Sequence, residues 1–137
     1  VCNATETLLV HKDIVNELMP KLNEAFKAKS VEVRGTDEIR KVIDCEEATE
    51  EDFKTEYLDL IISVKTVNDI DEAINHINKY GSHHTDCIIT EDNKAAEKFM
   101  QYVDSAGVYQ NCSTRFADGY RYGFGAEVGI STSKLHA

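Results

Sequence analysis

Within five residues, Asn111-Cys112-Ser113-Thr114-Arg115 brings together an amide, a thiol, two hydroxyls and a guanidinium. Arg115 can pair bidentately with a carboxylate or phosphate, and Ser113 and Thr114 can add hydroxyl donors around the same anion. Arg121 lies nearer the tip of the same segment, where a cation more often faces solvent, so Arg115 is the stronger candidate. The second chemical resource is thiol. A thiolate attacks a carbonyl as a soft nucleophile, holds an acyl group as a thioester and leaves once that group has been reduced. Four cysteines stand at 2, 45, 87 and 112, but a free cysteine is more often a small buried hydrophobe than a nucleophile. Residue type alone singles out none of them. The His83-His84-x-x-Cys87 spacing superficially suggests metal ligands. Adjacent histidines project differently and Cys87 heads an apolar run, so no closed four-ligand set forms and no metal is expected.

These residues must be placed by an alternation of short β-rich runs and helical periodicity. Leu8–His11 reads as a strand, and Asp13 as the N-cap of a helix whose Ile14, Leu18, Leu22 and Phe26 recur every four residues. Pro20 should bend that helix or mark its true start. Val31–Arg34 reads as a strand closed by Gly35, Asp37–Ile43 as a short helix, and Leu60–Lys65 as a strand covered on both faces at the centre of the sheet. From Asp69, the spacing of Ile70, Ala73, Ile74 and Ile77 predicts a helix, with Glu72 completing a capping box and Gly81 ending it. Cys87–Thr90 is the next strand, followed by a helix capped by Asp92 or Asn93 that carries Ala95, Ala96, Phe99 and Val103. Val108–Tyr109 and Val128–Ile130 supply further strands. Such alternation with short connections predicts an α/β fold with a mainly parallel sheet flanked by helices. Cys112–Ala126 has neither period and is rich in Gly, aromatic and polar residues, which marks a functional loop; Gly119, Gly123 and Gly125 let it turn sharply.

Composition narrows the function. A chain of 137 residues fits one domain, and nothing in it marks a boundary. The formal charge of −10 repels phosphate backbones and argues against a nucleic-acid partner. The acidic residues of Asp44–Asp52 lack periodicity and read as a solvated connection. No apolar run approaches the roughly 20 residues of a membrane span, so no membrane partner is expected. The cysteines show neither C-x-x-C spacing nor a disulfide framework, which suggests reduced thiols in the cytoplasm, with an organellar parent left open.

The opening Cys2-Asn3-Ala4-Thr5-Glu6 and the stretch from Asn111 to Ser133 resemble the γ-glutamyl phosphate reductases, aldehyde-dehydrogenase-like enzymes of proline synthesis. The resemblance continues through Thr55–Leu60, Asp71–Ile74 and His84–Asp86 in the family's order and covers nearly the whole chain. It implies an aldehyde-dehydrogenase-like catalytic domain spanning residues 1–137. The chain opens on Val1, beside the family's nucleophile, and reads as a piece whose nicotinamide-binding domain and C-terminal remainder lie outside it.

The resemblance assigns the thioester to Cys2, with its backbone N–H and the Asn3 side chain as candidate oxyanion donors. It gives Glu56 the hydrogen bond to the nicotinamide ribose, a double donor suited to a carboxylate. It makes Asn111, Ser113, Thr114, Arg115 and Glu127 the substrate-binding residues. Cys112 stands where the family's pattern has alanine, and Glu6 and His84 match the family while also suiting structural roles. The implied reaction converts L-glutamyl 5-phosphate and NADPH to L-glutamate 5-semialdehyde and phosphate. Because the chain has no G-x-G-x-x-G pattern, NADPH is expected to be held mainly by the missing domain. The implied partners are glutamate 5-kinase, which makes the substrate, and further copies in a homo-oligomeric parent. Two alternatives stay open: the reductase half of a bifunctional pyrroline-5-carboxylate synthase, which Asp118–Arg121 resembles, and a non-catalytic assembly module of the same fold.

Overall fold

In the computed structural model, residues 1–116, 118–125 and 130–134 are described. In chain order the elements are β1 (Thr7–His11), α1 (Val15–Ala28), β2 (Glu32–Gly35), α2 (Asp37–Arg40), β3 (Glu46–Glu47), β4 (Ile61–Val67), α3 (Ile70–Tyr80), β5 (Thr85–Ile88), α4 (Asn93–Tyr102) and β6 (Gly107–Gln110). The chain divides into two compact units, Thr5–Ala73 and Val1–Ala4 with Ile74–Ala137. The division falls inside α3, where no composition shift announces it.

The Thr5–Ala73 unit is a four-stranded sheet of order β1-β4-β2-β3 in which every pairing is parallel. β4 lies between β1 and β2, and its Ile62, Ser63 and Val64 are buried, as the apolar run predicts. Leu60 stays outside the strand and is exposed. Val10, Val33, Ile62 and Val64 from the strands pack with Val15 and Met19 of α1 and with Ile39 and Ile43 around α2. Met19 is fully buried, which contributes about 2 kcal/mol of transfer free energy. Gly35 ends β2 where a Cβ would come within 2.6 Å of Ile39 Cγ2 and 2.8 Å of Cys45 Sγ, so α2 can close onto the sheet only over a glycine.

Several local expectations need correction. Asp13 does not cap α1: Ile14 occupies that position without a side-chain cap, and the Asp13 N–H donates to His11 Nδ1. The buried stripe of α1 runs through Val15 and Met19, leaving Ile14 half-exposed, and the helix continues through Pro20 at the loss of one backbone bond. α2 is formally four residues, although the Ile43 N–H still donates to the Ile39 carbonyl at 3.0 Å. At α3, Asp69 accepts from the Glu72 N–H, but Glu72 reaches back to the Asn68 N–H and amide rather than to Asp69.

The acidic stretch is not merely solvated. Glu46–Glu47 form β3 against Arg34–Gly35, and Asp52 is buried. Its carboxylate accepts from Arg34 Nη1 (2.7 Å), the Thr49 N–H (2.6 Å) and hydroxyl (2.7 Å), and the Tyr57 hydroxyl (2.9 Å). Tyr57 also shares a 2.6 Å hydrogen bond with the fully buried Ser63 of β4, and the Arg34 guanidinium lies over its ring. Exposed pairs such as Lys21–Glu17 contribute little beside such a network.

In the second unit, β5 and β6 pair in parallel, with Cys87 opposite Tyr109. α4 is capped by Asp92, which accepts from the Lys94 and Ala95 N–H groups, and buries Ala96 and Phe99. β5 begins and ends two residues earlier than expected, because the Thr90 N–H and carbonyl are taken by the Asn111 side chain and Ile89 is exposed. Val128 and Gly129 of the remaining expected strand lie outside the described residues, and Ile130 is not in a strand.

Burial alone would raise the Asp52 pKa, but the Arg34, Thr49 and Tyr57 hydrogen bonds outweigh it and hold the carboxyl well below the usual range. Its stabilisation is therefore complete above the unfolded value, near 4, and is lost as pH falls toward the folded value. Asp52→Asn should cost about 3 kcal/mol at neutral pH and flatten the acid limb of the stability curve. Urea unfolding of both proteins between pH 7 and pH 3 checks this: a constant difference across that range would contradict it.

Candidate functional site

The Cys2 thiol is exposed, while the next residue, Asn3, is buried. A turn closed by the Ala4 N–H on the Val1 carbonyl (3.0 Å) holds the pair. Residues 1–4 belong to the same compact unit as Asn111, Ser113, Thr114 and Arg115. Glu56 belongs to the other unit.

The Asn111 segment is set by its first residue. Asn111 takes a left-handed φ of 53°, which asparagine tolerates better than most residues. Its amide donates to the Thr90 carbonyl at 2.8 Å and accepts from the Thr90 N–H at 2.9 Å. Asn111 therefore clasps the end of β5 and launches the chain into a 3₁₀ turn, Thr114–Phe116. There the Arg115 N–H donates to Ser113 Oγ, and both Ser113 and Arg115 are exposed.

Beyond this turn, among the described residues, aromatic side chains of the loop pack on one another and on β6. Phe116 and Tyr122 meet edge to face at 6.0 Å, and the Tyr122 hydroxyl lies 3.3 Å from that of Tyr109. That hydroxyl contact, followed by burial, pushes Tyr109 up to about 12. Gly123 and Gly125 have φ of 83° and 79°, a region that favours glycine. Arg121 is exposed, as its place near the tip predicts. Glu127 lies outside the described residues.

Both histidines of the His83-His84 pair bind main chain. His83 Nδ1 bonds the Asp104 carbonyl, and His84 Nδ1 bonds the Ser131 carbonyl at 3.0 Å. Asp86 accepts from the buried Ser105 hydroxyl at 2.6 Å, and burial raises its pKa. Among the described residues, no group of three His, Cys, Asp or Glu is placed to hold a metal ion, and no helix is long and apolar enough to cross a membrane.

Glu56 is exposed in the connection before β4. The next residue, Tyr57, is fixed by its hydroxyl to Asp52 and Ser63 and by its N–H to the Glu6 carboxylate. Burial, then the charge of Glu56, raises the Glu6 pKa, which places the two carboxyl groups as electrostatic neighbours. The sequence suggested Glu6 only through its motif; its link to Tyr57 requires β1 and the connection before β4 to meet, a contact no local pattern encodes.

The parallel α/β architecture agrees with what known proteins show. A sequence profile of the aldehyde dehydrogenase family matches residues 41–128. The chain belongs to the aldehyde dehydrogenase family. This aldehyde dehydrogenase family chain is 61% identical over 137 residues to the γ-glutamyl phosphate reductase of Acetivibrio thermocellus, covering 100% of the chain and 32% of that protein. It is 63% identical over 134 residues to γ-glutamyl phosphate reductase 1 of Synechocystis, covering 98% and 31%. The crystal structure of the Thermotoga maritima γ-glutamyl phosphate reductase superposes on it with a TM-score of 0.94 at 51% identity, over 100% of the chain and 33% of that structure. The chain thus spans about a third of the length of the curated relatives it matches. Membership of a dehydrogenase family implies a nicotinamide cofactor.

Exposure decides how the four thiols of this family member differ. Cys2 is exposed, whereas Cys45, Cys87 and Cys112 are half-buried, and burial pushes the Cys45 and Cys87 thiols up. Brief iodoacetamide treatment near pH 8 should label Cys2 first and Cys87 among the last. Peptide mass mapping over time checks this, and earlier labelling of Cys87 would contradict the assigned exposures.

Proposed function

We propose that this chain is the thiol-bearing catalytic part of a γ-glutamyl phosphate reductase, which converts L-glutamyl 5-phosphate and NADPH to L-glutamate 5-semialdehyde, phosphate and NADP⁺ in proline biosynthesis. The observation that carries the reading is the exposed Cys2 thiol, next to a buried Asn3, in the same compact unit as the Ser113–Arg115 turn. The identity to named reductases across the whole chain supports it.

Cys2 Sγ attacks the acyl carbonyl, a C–S bond forms, the C–O bond to phosphate breaks and phosphate departs. The Cys2 N–H and the Asn3 amide are the donors suited to the oxygen that gains charge during this step. Arg115, with Ser113 and Thr114, holds the substrate's carboxylate or phosphate, and Asn111 holds the turn that presents them. Glu127 is assigned to the substrate ammonium.

When bound, the nicotinamide supplies the hydride that reduces the acyl group. The Glu56 carboxylate, exposed on a backbone pinned through Tyr57, fits a ribose diol, while the domain holding most of NADPH lies outside this chain. After reduction the C–S bond breaks, Cys2 leaves as thiolate and the aldehyde is released. The proposal places the parent in the cytoplasm as a homo-oligomer that receives its labile acyl phosphate from glutamate 5-kinase.

The test runs the reaction backwards. The full-length enzyme carrying this chain should reduce NADP⁺ with glutamate semialdehyde only when phosphate is present, because phosphate must cleave the thioester. Cys2→Ala should lower the rate roughly a thousandfold or more. Phosphate-independent turnover, or an active Cys2→Ala variant, would exclude this mechanism; a folded but inactive parent would favour a non-catalytic assembly role.

A further inference from the structure

Two thiols outside the proposed chemistry face each other in the second unit. β5 and β6 run side by side with Cys87 opposite Tyr109 and Ile88 opposite Gln110, so a straight continuation would carry Cys112 past the end of β5. Asn111, at φ 53°, bends the chain instead. The Asn111 N–H still donates to the Ile88 carbonyl at 2.9 Å, while the Cys112 carbonyl comes to 3.0 Å from Cys87 Sγ and accepts its S–H. The Cys112 thiol lies against the Cys87 thiol. Both residues are half-buried, and the other thiol is within reach of a reactive sulfur formed on either.

We propose that Cys87 and Cys112 form a modification site at which a hydroperoxide makes a disulfide, tying β5 to the start of the Ser113–Arg115 turn. With hydrogen peroxide, the Cys112 sulfur attacks one peroxide oxygen, the O–O bond breaks, the departing hydroxide takes the proton released by the Cys112 thiol, and the products are a sulfenic acid and one water. Cys87 then attacks that sulfur; the S–S bond forms, the S–O bond breaks, and the departing hydroxide takes the Cys87 proton as a second water. Two thiols are oxidised by two electrons and the peroxide is reduced. Burial, followed by the neighbouring Cys112 thiol, keeps Cys87 protonated and suits it to the resolving role. The site does not depend on the proposed reductase activity. It is special to chains with a thiol at 112.

The test uses the full chain with Cys2→Ser and Cys45→Ser, which removes the other two thiols, after circular dichroism has shown that it folds as the unsubstituted chain does. Equimolar hydrogen peroxide should abolish both remaining free thiols, lower the mass by two hydrogens and yield one peptide linking residues 87 and 112, reversed by dithiothreitol. Adding Cys87→Ser should replace the linkage with oxygen added at Cys112. The unsubstituted chain should give the same linked peptide. The proposal is overturned by persistent thiols at a peroxide dose that oxidises free cysteine, by oxygen addition without a bridge when both thiols are present, by a bridge between two copies, or by a Cys2–Cys112 bridge in the unsubstituted chain.

Discussion

A carboxylate taken out of water survives only where donors replace the water, and the connection between β3 and β4 is organised around meeting that condition at Asp52. Arg34 of β2, Thr49 and Tyr57 supply the donors. Tyr57 passes the constraint to Ser63 at the centre of the sheet. The connection owes its course to these polar contacts rather than to apolar burial, since Leu58 and Leu60 remain 82% and 57% exposed. Leu58 even takes a left-handed φ of 54°, an unfavourable conformation for leucine that the fixed residues around it maintain. Glu56 inherits its place from this arrangement: its own side chain is exposed, but the next residue, Tyr57, is held through its hydroxyl by Asp52 and Ser63 and through its N–H by Glu6.

The second unit uses the same device with a neutral group. Asn111 satisfies both main-chain groups of Thr90, ends the β5–β6 ladder and turns the chain into the Ser113–Arg115 segment. In this unit the residues suited to chemistry, Cys2, Ser113 and Arg115, are exposed, while backbone and side-chain hydrogen bonds of their neighbours hold the main chain. That separation lets a site stay open to ligands without relying on flexible side chains to define it.

The sheet was legible because β4 carries a nearly continuous apolar run and α3 and α4 carry both period and acidic caps. The resemblance at Cys2–Glu6 and Asn111–Ser133 pointed to the reductase chemistry that the named relatives share. Asp52 was misread because it stands among five other acidic residues, and only the fold brings Arg34, eighteen positions away, against it. Thr90 was misread as strand for the same reason: its β-branched side chain suits a strand, but Asn111, twenty-one residues on, takes its hydrogen-bonding groups. The packing of Tyr122 was hidden because the Tyr109–Tyr122 contact joins a strand to a segment without periodicity.

The central claim is that the polar cluster around Asp52 and Tyr57 positions Glu56 for the nicotinamide ribose. The most direct measurement is the KM for the nicotinamide cofactor in the full-length enzyme carrying Glu56→Gln, Tyr57→Phe or both. The account predicts that each single change raises this KM, that the KM for the acyl substrate stays near its original value, and that the double variant is little worse than Glu56→Gln alone, because Tyr57 acts through Glu56. An unchanged cofactor KM in Glu56→Gln, or full additivity of the two changes, would contradict it.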